Sequence, residues 1–292
     1  MGSDEIEEQI RALDRGRAFV RHRGMRIVGV EGRDARAWLQ DLITCDVSGL
    51  GALEVRRGLL LTPTGRIRAD LHVIGPGATG TGVALAQAPD QPRDVRELLG
   101  PYVLSSDVTL VSTPLEVLSV PGALVPPGGL PLVWRPSLLG EGFAVLGTAD
   151  ELEPVRRRLG AAGMTEASPE ALEARRVRLG VARFPVDLDE DSLPAEAGLD
   201  DGVVIDRTKG CYLGQESVAK VRNLGHPPRA ILALRSSDPV GVGEAVRSGD
   251  RDVGVVTSAD AGPGGAAVIA RIRWDARGAE LRTAAGAALL AP

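Results

Sequence analysis

Residues 56–74 carry the pattern that narrows the fold most. Two apolar-rich runs, 56–62 and 65–74, are joined by Pro63-Thr64-Gly65, a turn composition that predicts a hairpin. In the second run Ile67, Ala69, Leu71 and Val73 alternate with Arg66, Arg68, Asp70 and His72. Side chains of a strand point alternately to its two faces, so this arm has one apolar face and one polar face. The chain therefore contains an antiparallel sheet whose polar side either meets water or lines a ligand site.

At 292 residues the chain exceeds the size at which a single core stops growing, which predicts two or three subdomains. Hydrophobic residues make up 43% and charged residues 25%, and no apolar run approaches the length needed to span a bilayer. The start has no basic region followed by an apolar core, and Ile6 stands where a myristoylation signal requires Ser or Thr. The expectation is a cytoplasmic protein without a membrane segment. A formal charge of -5 disfavours non-specific nucleic-acid binding. The two cysteines, Cys45 and Cys211, lie far apart, and His22, His72 and His226 have no ligand spacing, so no metal site is expected.

Ile6, Ile10 and Leu13 predict a surface helix over residues 4–20, followed by a strand at 26–30. From Asp34, residues Ala35, Trp38, Leu39, Leu42 and Ile43 recur at steps of three and four, predicting an amphipathic helix that ends near Cys45, itself a packing residue. Residues 75–80, Gly-Pro-Gly-Ala-Thr-Gly, match the dinucleotide fingerprint formally. The run 81–86 reads as a strand and not as the helix that must receive a pyrophosphate, so a hairpin loop is expected. Residues 92–99 and 151–160 predict helices. Residues 108–111, 115–120, 132–134 and 142–146 predict strands, and the Pro/Gly cluster 121–131 marks an internal boundary. Ser168-Pro169-Glu170 is a helix start, with Ser as cap, leading to Gly180. Arg175, Arg176 and Arg178 crowd that helix end, where cations complement the helix dipole and can also receive anions. An acidic run at 187–191 precedes a short strand at 203–205 and a helix at 215–223. Short β-type runs from Ala230 onward predict a small barrel or sandwich.

Residues 209–216 read Lys-Gly-Cys-Tyr-Leu-Gly-Gln-Glu and are the chemically densest stretch. Gly210 and Gly214 can place Cys211 on a tight turn, and Lys209 is close enough in sequence to lower its thiol pKa. A buried, inert cysteine is the competing reading. Lys209, Lys220, Arg222 and Arg229 form a local basic patch.

The octapeptide resembles the signature of the YgfZ family of folate-binding proteins, relatives of the aminomethyltransferase (T-protein) of the glycine cleavage system. The likeness extends to residues 176–183, to Leu-Pro-Ala-Glu at 193–196 and to the hairpin at 59–73. It implies an α+β, aminomethyltransferase-like folate-binding fold of two subdomains over residues 1–225, with the internal boundary near 121–131, and a C-terminal β-barrel over 226–292. It also implies tetrahydrofolate or a derivative as cofactor. Glu196 would hydrogen-bond the pterin, Arg176 and Arg183 would suit the glutamyl tail, and Lys209, Tyr212 and Gln215 join as cofactor-binding residues. Cys211 becomes the functional thiol of a protein that supports iron-sulfur cluster assembly or repair, with assembly proteins or client enzymes such as tRNA-modifying proteins as partners. The transferases carry an aspartate-rich early hairpin, whereas here only Asp70 remains, as a base or orienting group. Folate-dependent aminomethyl transfer is thus the second reading, and a folate-independent protein-binding scaffold the third.

Overall fold

The computed structural model describes residues 2–77, 82–262 and 264–292. The chain forms two compact units: Met1–Thr62, Arg68–Ala171 and Gly202–Leu213 make the first, and Pro63–Ile67, Leu172–Asp201 and Gly214–Pro292 the second.

In the first unit α1 (Ser3–Asp14) leads to β1 (Ala18–His22), β2 (Arg26–Glu31), α2 (Ala35–Gln40), β3 (Val55–Leu61), β4 (Ile67–Ile74), β5 (Val83–Gln87) and α3 (Val95–Leu99). Then come β6 (Thr109–Thr113), β7 (Glu116–Pro121), β8 (Gly142–Gly147), α4 (Ala149–Ala161) and β9 (Thr165–Glu166). The helix expected to run to residue 20 stops at Asp14, because Gly16 at φ +64 leaves the helical region and the chain re-enters as a strand. Strands β3-β4-β5-β2-β6 form one sheet and β8-β7-β1-β9 a second. The run 132–134 makes a single bridge, Trp134 to Ala144, since Pro131 and Pro136 flank it without backbone donors. The run 203–205 forms no strand; the Val204 carbonyl accepts from the Thr44 hydroxyl at 2.8 Å. The predicted loop at 75–80 continues into residues 78–81, which lie outside the described residues.

The alternation of β4 is realised, with a different consequence for its polar face. Ile67, Ala69, Leu71 and Val73 are buried, the latter three in a core with Trp38 and Leu39 of α2 and Leu98 and Leu99 of α3. Ile74 and Ile27 point the other way and pack with Val117 of β7 and Ala144 of β8. Arg68, Asp70 and His72 share that side and are half-buried, so the polar face is covered rather than wet. A further core joins Phe19, Leu118 and Val145 to Leu152, Val155 and Leu159 of α4.

The second unit holds α5 (Pro169–Arg178), which begins at the end of the first, together with a 3-10 turn (Pro194–Ala197) and α6 (Gln215–Leu224). Ser168 caps α5 as expected, its hydroxyl accepting from Ala171 N at 3.1 Å. The remaining strands are β10 (Arg229–Ser236), β11 (Ala245–Ser248), β12 (Arg251–Gly262), β13 (Gly265–Arg273), β14 (Leu281–Thr283) and β15 (Ala288–Leu289). They form a six-stranded sheet in the order β10-β13-β12-β11-β14-β15. Its two ends meet where Arg235 and Leu290 exchange backbone hydrogen bonds of 2.7 and 2.8 Å, which leaves the sheet nearly closed into the expected barrel. Leu234, Val246, Val256, Val268 and Ile272 fill it.

Two histidines sit in the layer between the sheets of the first unit. His22 lies 3.0 Å from the Ser119 hydroxyl, and burial together with His72 pushes its pKa down to about 4. Burial also pushes His72 down to about 4, with Arg57 acting in the same sense and Asp70 against it. A folded pKa below the unfolded value of roughly 6.5 means that the unfolded chain binds more protons between those limits. Stability therefore falls as pH drops from 6.5 towards 4. We expect the urea midpoint to decline across that window, and to decline less in His72→Gln.

Candidate functional site

The Cys211 segment belongs to the first unit, and its backbone is fixed by side chains around it. Asp206 accepts from Thr208 N at 2.7 Å, the Thr208 hydroxyl at 2.8 Å and Lys209 N at 3.0 Å, bonds that hold its carboxyl below the usual range. The Lys209 ammonium donates to the carbonyls of Gln40 (2.6 Å), Ile43 (2.6 Å) and Cys45 (3.0 Å), at and beyond the C-terminus of α2. Its three protons are thereby engaged, and burial pushes its pKa down. The ammonium sits 5.5 Å from the centroid of Tyr212, which is buried, and Leu213 N donates to Asp41 O at 3.1 Å. Between these anchors Cys211 is exposed. Gly214, at φ +86, makes the left-handed turn that starts α6, whereas Gly210 needs no such freedom. Cys45 is buried beside Gly58, where burial pushes the thiol up to about 12, as suits a packing residue.

Asp70, on β4, is gripped by Arg57, with Nε to Oδ1 at 3.0 Å and Nη2 to Oδ2 at 2.6 Å. The Gln91 amide brackets its backbone, accepting from Asp70 N at 3.0 Å and donating to Asp70 O at 2.7 Å.

Glu196, Arg176, Arg183 and Gln215 belong to the second unit. Glu196 lies in the 3-10 turn with a side chain 0% exposed. Arg229 holds it with a fork, Nε to Oε2 at 2.9 Å and Nη2 to Oε1 at 3.2 Å, and Leu193 N donates to Oε1 at 3.2 Å. Beside this turn Leu193, Pro194, Ala195, Val218 and Val221 wall a crevice of about 10 Å³. Arg229 also donates to Asp191 O at 3.0 Å and lies 3.8 Å from Asp189, whose second partner is Arg271. Burial works against the charged form of Asp189, but bonds from Ser192 and Arg271 outweigh it and hold the carboxyl low. Gln215 opens α6.

Arg176 projects from the last turn of α5 into a buried network. It donates to Glu173 through Nε (2.9 Å) and Nη2 (2.7 Å), to Val181 O (2.6 Å), to Asp187 Oδ2 (2.6 Å) and to the Ser258 hydroxyl (2.6 Å). Asp187, fully buried, accepts also from the Thr257 hydroxyl (2.6 Å), the Ser258 hydroxyl (2.7 Å) and Arg183 N (3.0 Å). Consecutive strand residues face opposite sides, but the register shift between Val256 and Ser258 marks a bulge that lets both hydroxyls reach one carboxylate. The Arg183 guanidinium lies 3.9 Å from Glu173.

The structure thus ties Glu196 to Arg229 and Arg176 to Asp187, pairings that sequence reading did not find. Arg229 stood in the basic patch and Asp187 in the acidic run, so each type was visible while its pairing, across 33 residues for Glu196 and 11 for Arg176, was not.

A mixed α+β architecture ending in a nearly closed six-stranded sheet is the fold of the aminomethyltransferases. The glycine cleavage system aminomethyltransferase T of Bartonella henselae superposes with a TM-score of 0.79 at 18% identity, covering 96% of this chain and 87% of that one. In sequence the chain is similar to an aminomethyltransferase of Chromobacterium violaceum, 27% identical over 290 residues spanning 90% of this chain and 78% of that protein. No protein-family model matches the chain.

The buried network makes a sharp contrast testable. Asp187→Ala removes the fully buried carboxylate that Arg176, Arg183 N, Thr257 and Ser258 share, leaving Arg176 only the half-exposed Glu173 as counter-ion, and is expected to lower unfolding free energy by about 3–5 kcal/mol. Glu173→Ala, which removes a 46% exposed partner, is expected to cost below about 1 kcal/mol. Urea unfolding of the two variants measures both.

Proposed function

We propose that the chain binds tetrahydrofolate or a derivative, residues 1–225 forming the folate-binding region and 226–292 the barrel, and that it sustains iron-sulfur enzymes through Cys211. The observation carrying the folate reading is the aminomethyltransferase fold together with 27% identity along 90% of the chain. The donor set agrees with it. Glu196 only accepts, Arg229 fixes the plane of its carboxylate, and three bonds leave one of about four acceptor positions for an N–H of a reduced pterin. The crevice beside the turn has room for about one water, so a ring reaches Glu196 by displacing the groups that cover it. Bound folate supplies a carrier for one-carbon units; the chain's own part is to hold and orient it.

The exposed Cys211 thiol supports the iron-sulfur reading over inert packing. No group of three or more His, Cys, Asp and Glu side chains suited to a metal ion occurs among the described residues. A cluster would thus be cargo, shared with an assembly protein or client enzyme. Aminomethyl transfer is the second reading, and Asp70 its motive. Arg57 takes one acceptor position on each oxygen of Asp70 and fixes its carboxylate plane, leaving about two positions for a substrate N–H. The folate-binding roles of Arg176, Arg183, Lys209, Tyr212 and Gln215 belong to the same proposal as that of Glu196, as does a cytoplasmic location. No helix among the described residues is long and apolar enough to cross a membrane.

Calorimetric titration with tetrahydrofolate tests the first half. Saturable binding that weakens at least about 10-fold in Glu196→Gln is expected for loss of a charge-assisted bond, and absence of heat in the parent protein sinks the folate reading. For the second half, Cys211→Ser should bind folate like the parent yet fail to restore cluster-enzyme activity in a deletion strain. Full restoration removes the thiol from the mechanism.

A further inference from the structure

A cavity of about 140 Å³ opens on β10, walled by Arg178, Arg235, Asp260, Gly262, Gly264 and Gly265 among others. A buried water needs roughly 10–15 Å³ of such space, so this volume takes several waters or one small polyatomic ion. Its charge selects between them. Two arginines and one aspartate line it, a net formal charge of +1 among these side chains. Arg178, the last residue of α5, donates from Nε to Asp260 Oδ2 at 2.6 Å. Arg235 donates from Nη2 to the Arg178 carbonyl at 2.9 Å, which brings the second guanidinium against that helix end. Like charges are not gathered at one wall without an anion or solvent between them.

The backbone is shaped to keep this arrangement. A Cβ on Gly262 would stand 2.8 Å from Arg178 Nη2, so the missing side chain is what lets the guanidinium lie against the turn. Gly264 and Gly265 adopt φ +95 and +126, values that favour glycine. The main chain of Arg235 is locked by its pairing with Leu290, while its side chain is exposed and reaches the cavity from a fixed base.

We propose that this cavity is an oxyanion site, taking the phosphate or carboxylate group of a small ligand, with Arg235 as donor and the Asp260-held Arg178 as the second positive charge. It lies wholly in the second unit and is independent of the folate reading. The test titrates the full chain by calorimetry with inorganic phosphate and, separately, with acetate, each against chloride at equal ionic strength. Saturable binding of at least one of the two is expected, and the one that saturates names the group. Arg235→Gln, a change at an exposed side chain, should weaken that binding at least about 10-fold, while Lys220→Gln, on the exposed surface of α6, should bind like the parent. Heats indistinguishable from chloride for both ions, or unaltered affinity in Arg235→Gln, overturn the proposal.

Discussion

One buried carboxylate organises the second unit. Asp187 has no exposed surface, and an ionised group out of water is tolerated only when its charge and lone pairs are matched. Here each oxygen receives two donors, Thr257 and Ser258 on one, Arg176 and Arg183 N on the other. Those donors come from α5, from the loop after it and from the bulge of β12, so a single group fixes three segments. Two residues on, Asp189 reaches Arg271 on β13 and lies near Arg229 on β10, the strand whose first residue grips Glu196. The acidic run is therefore the strut between the barrel and the turn that carries Glu196.

The chain depends on such struts because it has little else with which to key its layers. Aromatic residues make up 3% of the sequence, against 34 Lys and Arg, and small aliphatic side chains fill the barrel. Aliphatic cores of this kind tolerate repacking, so volume alone specifies them weakly. Guanidinium forks add geometric specificity that a lysine at the same position lacks. Arg57 on Asp70, Arg176 on Glu173 and Arg229 on Glu196 are all two-pronged. Arg176 and Glu173 share one helix and Arg57 and Asp70 one hairpin, whereas Arg229 on Glu196 joins residues whose relative placement the hydrophobic pattern leaves undetermined.

What the sequence disclosed follows from the same distinction. The alternation in β4, the cap at Ser168, the helix after Gly214 and the strand rhythm beyond Ala230 are local signals, and all appear in the structure. Burial of Cys45 and exposure of Cys211 separate two thiols that composition treats alike. The turn at Gly16 and the irregular backbone at 203–205 were not legible, since one depends on a glycine conformation and the other on contact with Thr44, 160 residues from Val204. The polar face of β4 was visible, but not its cover, because β1, β7 and β8 arrive from elsewhere in the chain. Glu196 was named without Arg229, and Arg176 without Asp187, since no periodicity records a partner across an irregular connection.

Lys209 changes the meaning of the octapeptide that contains Cys211. Proximity in sequence suggested a cation that lowers the thiol pKa, whereas the ammonium is directed into three carbonyls at 40–45. A lysine so placed satisfies acceptors left open at the end of α2 and pins the segment to the first unit. Tyr212 is buried next to it and Leu213 is hydrogen-bonded to Asp41, so the flanks of Cys211 are structural anchors. The motif's density is then a division of labour, in which neighbours hold a rigid platform and leave one side chain in solvent.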